Sequence, residues 1–202
     1  MGPEIHFYWD TGSTNTYFAV RLIKPLADRY KASIVTHPFN LGHVFRKKNY
    51  VLMDEPKEKL IYRRTDLMRW AGRYDLPFRM PNIFPIKTSR TLRGALAMRR
   101  LGKEWAYIEA LFTSYWELND HSIADYAGLK PLVARLGVDP DIFEKLAESE
   151  EVRAELIEET DRGMARGVFG TPTFFVGNEM FWGKDRLDFL EEELKRLPGK
   201  EP

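Results

Sequence analysis

The chain is 202 residues long, with 44% apolar, 30% charged and 13% aromatic residues, a composition that fits an ordinary folded globular protein and excludes disordered, collagen-like and low-complexity chains. It contains no cysteine, which excludes disulfides, cysteine nucleophiles and thiolate metal sites, so any sulfur chemistry must use a thiol brought in from outside. The net charge of +1 is the sum of two opposed blocks: residues 46–103 hold 16 Lys or Arg against 5 acids, and residues 104–161 hold 15 acids against 4 bases.

The blocks have two readings. Either helices of opposite charge face one another or solvent, or the basic block forms a pocket wall for a small anionic ligand. Nucleic acid is not expected, because the pI of about 7.9 is not strongly basic and no basic stripe is interleaved with stacking aromatics. Of the four histidines only His37 and His43 are near one another, and their spacing matches no ligand pair, so no metal site is expected. No stretch approaches the roughly 18 apolar residues of a membrane span. The start Met1-Gly2-Pro3-Glu4-Ile5-His6 has neither a basic leader nor a myristoylation signal, which leads us to expect a soluble, cytoplasmic protein without a membrane partner.

Ile5 to Asp10 is short, β-branched and aromatic and ends at Thr11-Gly12, which predicts a buried strand and a turn. A helix follows, capped by Ser13 or Thr14, with Phe18, Leu22, Leu26 and Tyr30 along one face; Pro25 inside it should kink it. Ala32 to His37 predicts a second strand, and strand, helix, strand makes a βαβ unit with a parallel pair. From about residue 57 to 165 the pattern is helical, with segments near 57–74, 89–101, 103–118, 129–136, 140–147 and 150–166. Asp139-Pro140 is a good helix start. Strand signals return at Thr173 to Val176 and Glu179 to Trp182 around the turn Gly177-Asn178, and Asp185 to Leu197 predicts a terminal amphipathic helix. This order, βαβ, helices, ββα, describes an α/β chain: a thioredoxin-like domain (1–40 and 166–202) interrupted by an all-helical insertion (41–165).

Two candidate sites stand at opposite ends of the chain. Ser13 lies at the first turn of the first helix, where unpaired N–H groups and the helix dipole favour negative charge, so its hydroxyl could hydrogen-bond a thiolate; the alternative is a plain helix cap. The second is Gly170-Thr171-Pro172-Thr173 ahead of the hairpin. A proline before a strand is ordinarily a trans turn residue, but in a thioredoxin-like fold this is where a cis-proline presents the backbone of the preceding residue, Thr171, to an extended peptide.

These residues carry a resemblance. Phe7 through Ala19, around Asp10-Thr11-Gly12-Ser13, resembles the "FYFDFxSPxxYLA" start of the 2-hydroxychromene-2-carboxylate isomerases; Val168 through Gly177 and Met180 through Leu187 resemble that family's C-terminal signature; and Pro38-Phe39-Asn40-Leu41-Gly42-His43-Val44-Phe45 with Asn49 is similar to its "PFxLGxxF...N" stretch. Thr14 stands where the family usually has proline, and Lys48 where glycine is expected. The family is similar to kappa-class glutathione transferases and to the DsbA-like branch of the thioredoxin superfamily.

The resemblance implies a glutathione-dependent cis-trans isomerase, with Ser13 activating the glutathione thiol against a small, anionic, unsaturated aromatic substrate. A hydroxyl and a helix terminus could lower a thiol pKa by about one to two units. Residues 13–16 are Ser-Thr-Asn-Thr, so a Cys-x-x-Cys dithiol oxidase is excluded. By matching position, Thr171 and Pro172 would meet the cysteinyl part of glutathione, Lys184 and Asp185 the γ-glutamyl end, and Asn49 and Lys59 the remainder, with Lys59 on the glycine carboxylate. Independently of the family, helix N-terminal amides suit a carboxylate and Asp185 suits an ammonium or a helix cap. Phe39, Phe45 and Phe84 are either ring contacts for the substrate or core. The alternatives are a kappa-like transferase or peroxidase, and a non-catalytic thioredoxin-like module that binds an extended peptide. A homodimer is possible from the family and from the charge blocks.

Overall fold

The structure is a computed structural model and describes residues 2–51 and 54–197. Strand β1 (Glu4–Trp9) buries one face throughout and the other only towards its end at Tyr8. Ile5, Phe7 and Trp9 alternate into the larger apolar cluster and Tyr8 into a smaller one with Phe39, Val44, Val168 and Phe175, the period-two division that a central strand imposes. Helix α1 (Thr14–Arg29) leads to β2 (Ser33–Pro38), which pairs parallel with β1. The hairpin β3 (Thr173–Val176) and β4 (Glu179–Trp182) completes a four-stranded sheet of order β2-β1-β3-β4, with β3 antiparallel to both neighbours. The expected parallel βαβ unit and the hairpin are both present.

Between β2 and β3 run α2 (Leu41–Lys47), α3 (Lys57–Arg73), α4 (Ser89–Arg100), α5 (Glu104–Trp116), a 3-10 turn (His121–Ala124), α6 (Tyr126–Arg135), α7 (Pro140–Ala147) and α8 (Glu150–Ala165). A second 3-10 turn (Lys184–Arg186) and α9 (Leu187–Arg196) end the described chain. Three local details differ from the sequence expectation. Helix α2 was not anticipated, although Asn40 caps it by accepting from the His43 N–H at 3.1 Å. Helix α6 begins at Tyr126, three residues early, directly after the 3-10 turn. The last helix starts at Leu187 rather than Asp185, because Gly183 turns the chain at φ 114 and Asp185 has non-helical angles. Pro25 is accommodated inside α1 on its exposed side, where the carbonyl it leaves unpaired can reach water.

The larger cluster is continuous from Ile5 and Phe7 through Phe18, Leu92 and Phe112 to Leu132 and Phe143. The division into a thioredoxin-like unit and a helical insertion is a proposal from chain order; apolar packing runs across it. Helix α8 lies against the other sheet face, where a Cβ at Gly163 would stand 2.9 Å from the Phe39 ring and 3.0 Å from Tyr8, so only glycine lets the helix approach this closely. The charge blocks face one another: Arg93 pairs with Glu148, Arg100 with Glu155, Arg90 with Asp125 and Lys47 with Asp161. Apart from the largely buried Arg93, these are surface or rim pairs that add little stability singly. Among the described residues no helix is long and apolar enough to cross a membrane, and no group of three His, Cys, Asp or Glu could hold a metal.

Candidate functional site

Strand β1 ends at Trp9, and Asp10-Thr11-Gly12-Ser13 turns the chain into α1. The Ser13 N–H donates to the Asp10 carbonyl at 3.1 Å, which closes this turn. Ser13 is the N-cap: its extended backbone (φ -93, ψ 117) lets Oγ accept from the Thr16 N–H at 3.3 Å. No acidic residue occupies the first turn of α1, so the positive end of this 16-residue helix is not neutralised from within.

The same hydroxyl reaches across the fold. Ser13 Oγ donates to the Thr171 carbonyl at 2.9 Å, and the Thr171-Pro172 bond is cis, as the thioredoxin-like reading anticipated. Sheet pairing brings the two ends together, because β3 lies antiparallel beside β1 with Tyr8 opposite Thr173. Thr173 Oγ1 donates back to the Gly170 carbonyl at 2.7 Å, and the Pro172 carbonyl accepts from the Gly183 N–H at 3.0 Å. Thr171 is 7% exposed, and its Oγ1 has no hydrogen-bond partner among the described residues. A buried hydroxyl in that condition is uncommon. Beside it, Phe169 and Trp182, each about half exposed, pack against one another at 4.9 Å.

The remaining sequence candidates are dispersed or already engaged. Lys184 is buried, its Nζ 3.1 Å from Asp66 Oδ2 and 4.8 Å above the Trp70 ring, which ties the last 3-10 turn to α3. Asp185 pairs with Arg186 at 2.6 Å. Asn49 is exposed, with φ 50, just past α2. Lys59, in the first turn of α3, pairs with Glu55 at 2.9 Å. Phe39 is fully buried, Phe84 lies 5.9 Å from Trp116, and Phe45 lies 4.9 Å from Tyr50. Phe39 is therefore core.

One residue of the site had no role in the sequence reading. Asp10 is 1% exposed, and its carboxylate accepts from the Gly12 N–H at 2.8 Å, the Leu41 N–H at 2.9 Å and the Thr88 hydroxyl at 3.1 Å. Burial raises its pKa to about 6 against the lowering effect of these three donors. The signal was a carboxylate ending an otherwise apolar strand, a position that can be buried only if other segments supply donors. Beside it, Thr11 donates to Thr91 Oγ1 at 3.0 Å, and the Thr11 carbonyl accepts from Trp116 Nε1 at 2.8 Å.

The sequence model of the DSBA-like thioredoxin domain matches residues 4–195. Two 2-hydroxychromene-2-carboxylate isomerases, from Pseudomonas sp. (strain C18) and Pseudomonas putida, are 31% and 32% identical to this chain; each match covers 96% of the chain and 91% and 95% of the relative. A glutathione S-transferase kappa 1 from Caenorhabditis elegans is 24% identical over 96% of this chain and 92% of its own. The solved structure of a 2-hydroxychromene-2-carboxylate isomerase superposes with a TM-score of 0.82 at 30% identity, covering 96% of this chain and 95% of that one.

Proposed function

The chain belongs to the 2-hydroxychromene-2-carboxylate isomerase family, within the DSBA-like thioredoxin domains, and on that premise we propose that it is a glutathione-dependent isomerase acting on small, anionic, unsaturated aromatic substrates. The observation that carries the reading is the 2.9 Å hydrogen bond from Ser13 Oγ to the Thr171 carbonyl. It joins a helix N-terminus to the segment ahead of the cis-proline, the two parts that a thioredoxin-like site requires.

The groups around Ser13 suit a sulfur anion. Ser13 Oγ–H is a donor that can turn from Thr171 to an incoming sulfur while Oγ still accepts from the Thr16 N–H. The α1 terminus carries a partial positive charge with no carboxylate of its own helix beside it. Thr171 Oγ1 offers a further, unpartnered hydroxyl. Together these hold a thiol in its ionised form near neutrality. Bound there, glutathione would supply a reversible sulfur nucleophile for cis-trans isomerisation of an unsaturated carbon, with Ser13 Oγ–H and the α1 N-terminus holding its thiol.

Thr171 and Pro172 would align the cysteinyl part, and Asn49, Lys59, Lys184 and Asp185 the rest of the tripeptide. For three of these, binding exchanges a protein partner for the ligand: Lys59 leaves Glu55, Lys184 leaves Asp66 and Asp185 leaves Arg186. The half-exposed rings of Phe169 and Trp182, the latter paired with Thr173 across the hairpin, are suited to an aromatic substrate. The similarity to a kappa-class transferase supports a second reading, transfer of glutathione to other electrophiles at the same Ser13.

Titration with reduced glutathione, with S-methylglutathione as the control lacking an ionisable thiol, tests the thiol chemistry. The expected result is binding with an ultraviolet thiolate signal for reduced glutathione alone, together with turnover of a 2-hydroxychromene-2-carboxylate without loss of thiol. Net consumption of thiol would support the transferase reading, and absence of binding at millimolar glutathione would overturn both.

A further inference from the structure

We propose that Asp10 is a positioning residue for the thiol chemistry at Ser13, its buried carboxylate holding three separate segments, the turn at Gly12, the start of α2 at Leu41 and the loop at Thr88, in one fixed arrangement around the serine; this rests on the glutathione reading above. The three donors lie 2, 31 and 78 residues from Asp10 in sequence. No local structure brings them together, and each carboxylate oxygen is committed: Oδ1 accepts from the Gly12 N–H, and Oδ2 accepts from both the Leu41 N–H and the Thr88 hydroxyl. The Asp10 backbone carbonyl meanwhile accepts from the Ser13 N–H at 3.1 Å. One residue therefore sets the serine's backbone directly and, through Gly12, the turn that aims its hydroxyl at Thr171. A Cβ at Gly12 would lie 3.2 Å from Thr88 Cγ2 and 3.4 Å from Asp10 Oδ1, which shows how closely these segments are drawn in.

The donor pattern makes a carboxyl group specifically necessary. In Asp10→Asn the amide –NH2 must stand at either the Oδ1 or the Oδ2 position. At the first it confronts the Gly12 N–H, at the second the Leu41 N–H, and neither backbone donor can turn into an acceptor. The substitution therefore releases either the serine turn or α2. A protonated carboxyl group avoids this conflict: its proton at Oδ2 can be donated to Thr88 Oγ1, whose hydroxyl reverses role, while both backbone amides keep their acceptors. Burial raises the pKa of Asp10, and the two amides and the hydroxyl offset only part of that rise. Gain of a proton thus preserves the arrangement that the amide breaks.

The test uses the full chain with Asp10→Asn, Thr88→Val, which removes one donor and keeps the carboxylate, and Thr11→Val, which removes the neighbouring bond to Thr91 and leaves Thr91 donating to the Thr88 carbonyl. First, amide shifts of Gly12 and Leu41 are followed against pH without glutathione. The proposal expects both to titrate with one shared midpoint, and to lose that titration in Asp10→Asn. Second, the ultraviolet thiolate signal of bound glutathione and its pH midpoint are measured with kcat and KM. Expected are a thiol midpoint moved upward, against the fall that loss of the Asp10 charge alone would cause, and a kcat lowered roughly ten- to a hundredfold in Asp10→Asn, as for a misplaced catalytic group, with glutathione affinity within about threefold of the parent and no change in Thr11→Val. If Asp10→Asn does not fold, Thr88→Val carries the test, with a smaller upward shift of the thiol midpoint expected. A thiol midpoint at or below that of the parent, with a parent-like kcat, in whichever of the two variants folds would overturn the positioning role. No thiolate signal in the parent chain would instead overturn the glutathione reading, and this inference with it.

Discussion

Ser13 and Thr171 are 158 positions apart in the chain, yet the serine hydroxyl donates to the threonine carbonyl across 2.9 Å in a buried setting. The hydroxyl is at once the cap of α1 and the link from β1's exit turn to the entry of β3. A group with two structural bonds and a proposed chemical role can be separated by measurement into its parts.

Ser13→Ala removes both bonds and leaves the Thr171 carbonyl and the Thr16 N–H without this partner. A stability loss of about 1–2 kcal/mol is expected, measured by urea unfolding. Turnover should fall by at least tenfold while glutathione binding is largely kept. Loss of stability with unchanged turnover would make Ser13 a helix cap only.

The Asp10 carboxyl has its pKa raised by burial to about 6 from 3.8. A raised carboxyl pKa means that the folded chain binds the proton more tightly than the unfolded chain. The ionised group therefore disfavours folding above about pH 6, and that cost disappears as pH falls towards 3.8. A displacement of about two units corresponds to roughly 3 kcal/mol. Urea unfolding at several pH values should show this group favouring stability at pH 5 over pH 7. Asp10→Leu, which cannot ionise, should lack that increment.

Lys184 and Asp66 form a pair roofed by Trp70. Removing one partner leaves the other poorly solvated, so Lys184→Met and Asp66→Asn should each destabilise by about 1–3 kcal/mol. The double variant should lose less than the sum, with a coupling of about 1 kcal/mol in a double-mutant cycle. If Lys184 also receives glutathione, Lys184→Met will weaken its binding while Asp66→Asn will not. Equal weakening in both would assign the effect to the displacement of α3.

Gly94 in α4 lies under Tyr107, and a Cβ there would stand 2.2 Å from the phenol oxygen and 2.9 Å from Phe143. Gly94→Ala should cost about 1–3 kcal/mol from overpacking. The Tyr107 hydroxyl is buried without a hydrogen-bond partner among the described residues, so Tyr107→Phe should be neutral or stabilising and should partly rescue Gly94→Ala. Thermal unfolding of the three variants measures this directly.

Sequence alone determined what depends on neighbours a few residues away. The short β-branched and aromatic run Ile5 to Asp10 predicts β1, Gly177-Asn178 predicts the β3–β4 turn, Ser13 or Thr14 predicts the cap of α1 and Asp139-Pro140 the start of α7, because strand propensity, turn chemistry and capping are short-range effects. The absence of cysteine and the two terminal motifs likewise needed no coordinates. Tertiary structure decided what depends on segments meeting. The bond between Ser13 and Thr171 exists because β3 pairs with β1, and Lys184, expected only as a ligand contact at the start of the last helix, is buried because α3 supplies Asp66 and Trp70. Asp10 reads as the polar end of a strand. It is instead a fully buried carboxylate, since Gly12, Leu41 and Thr88 arrive from three parts of the chain to satisfy it. A buried polar group is tolerated only with partners, and when those partners come from distant segments no local pattern in the sequence records them.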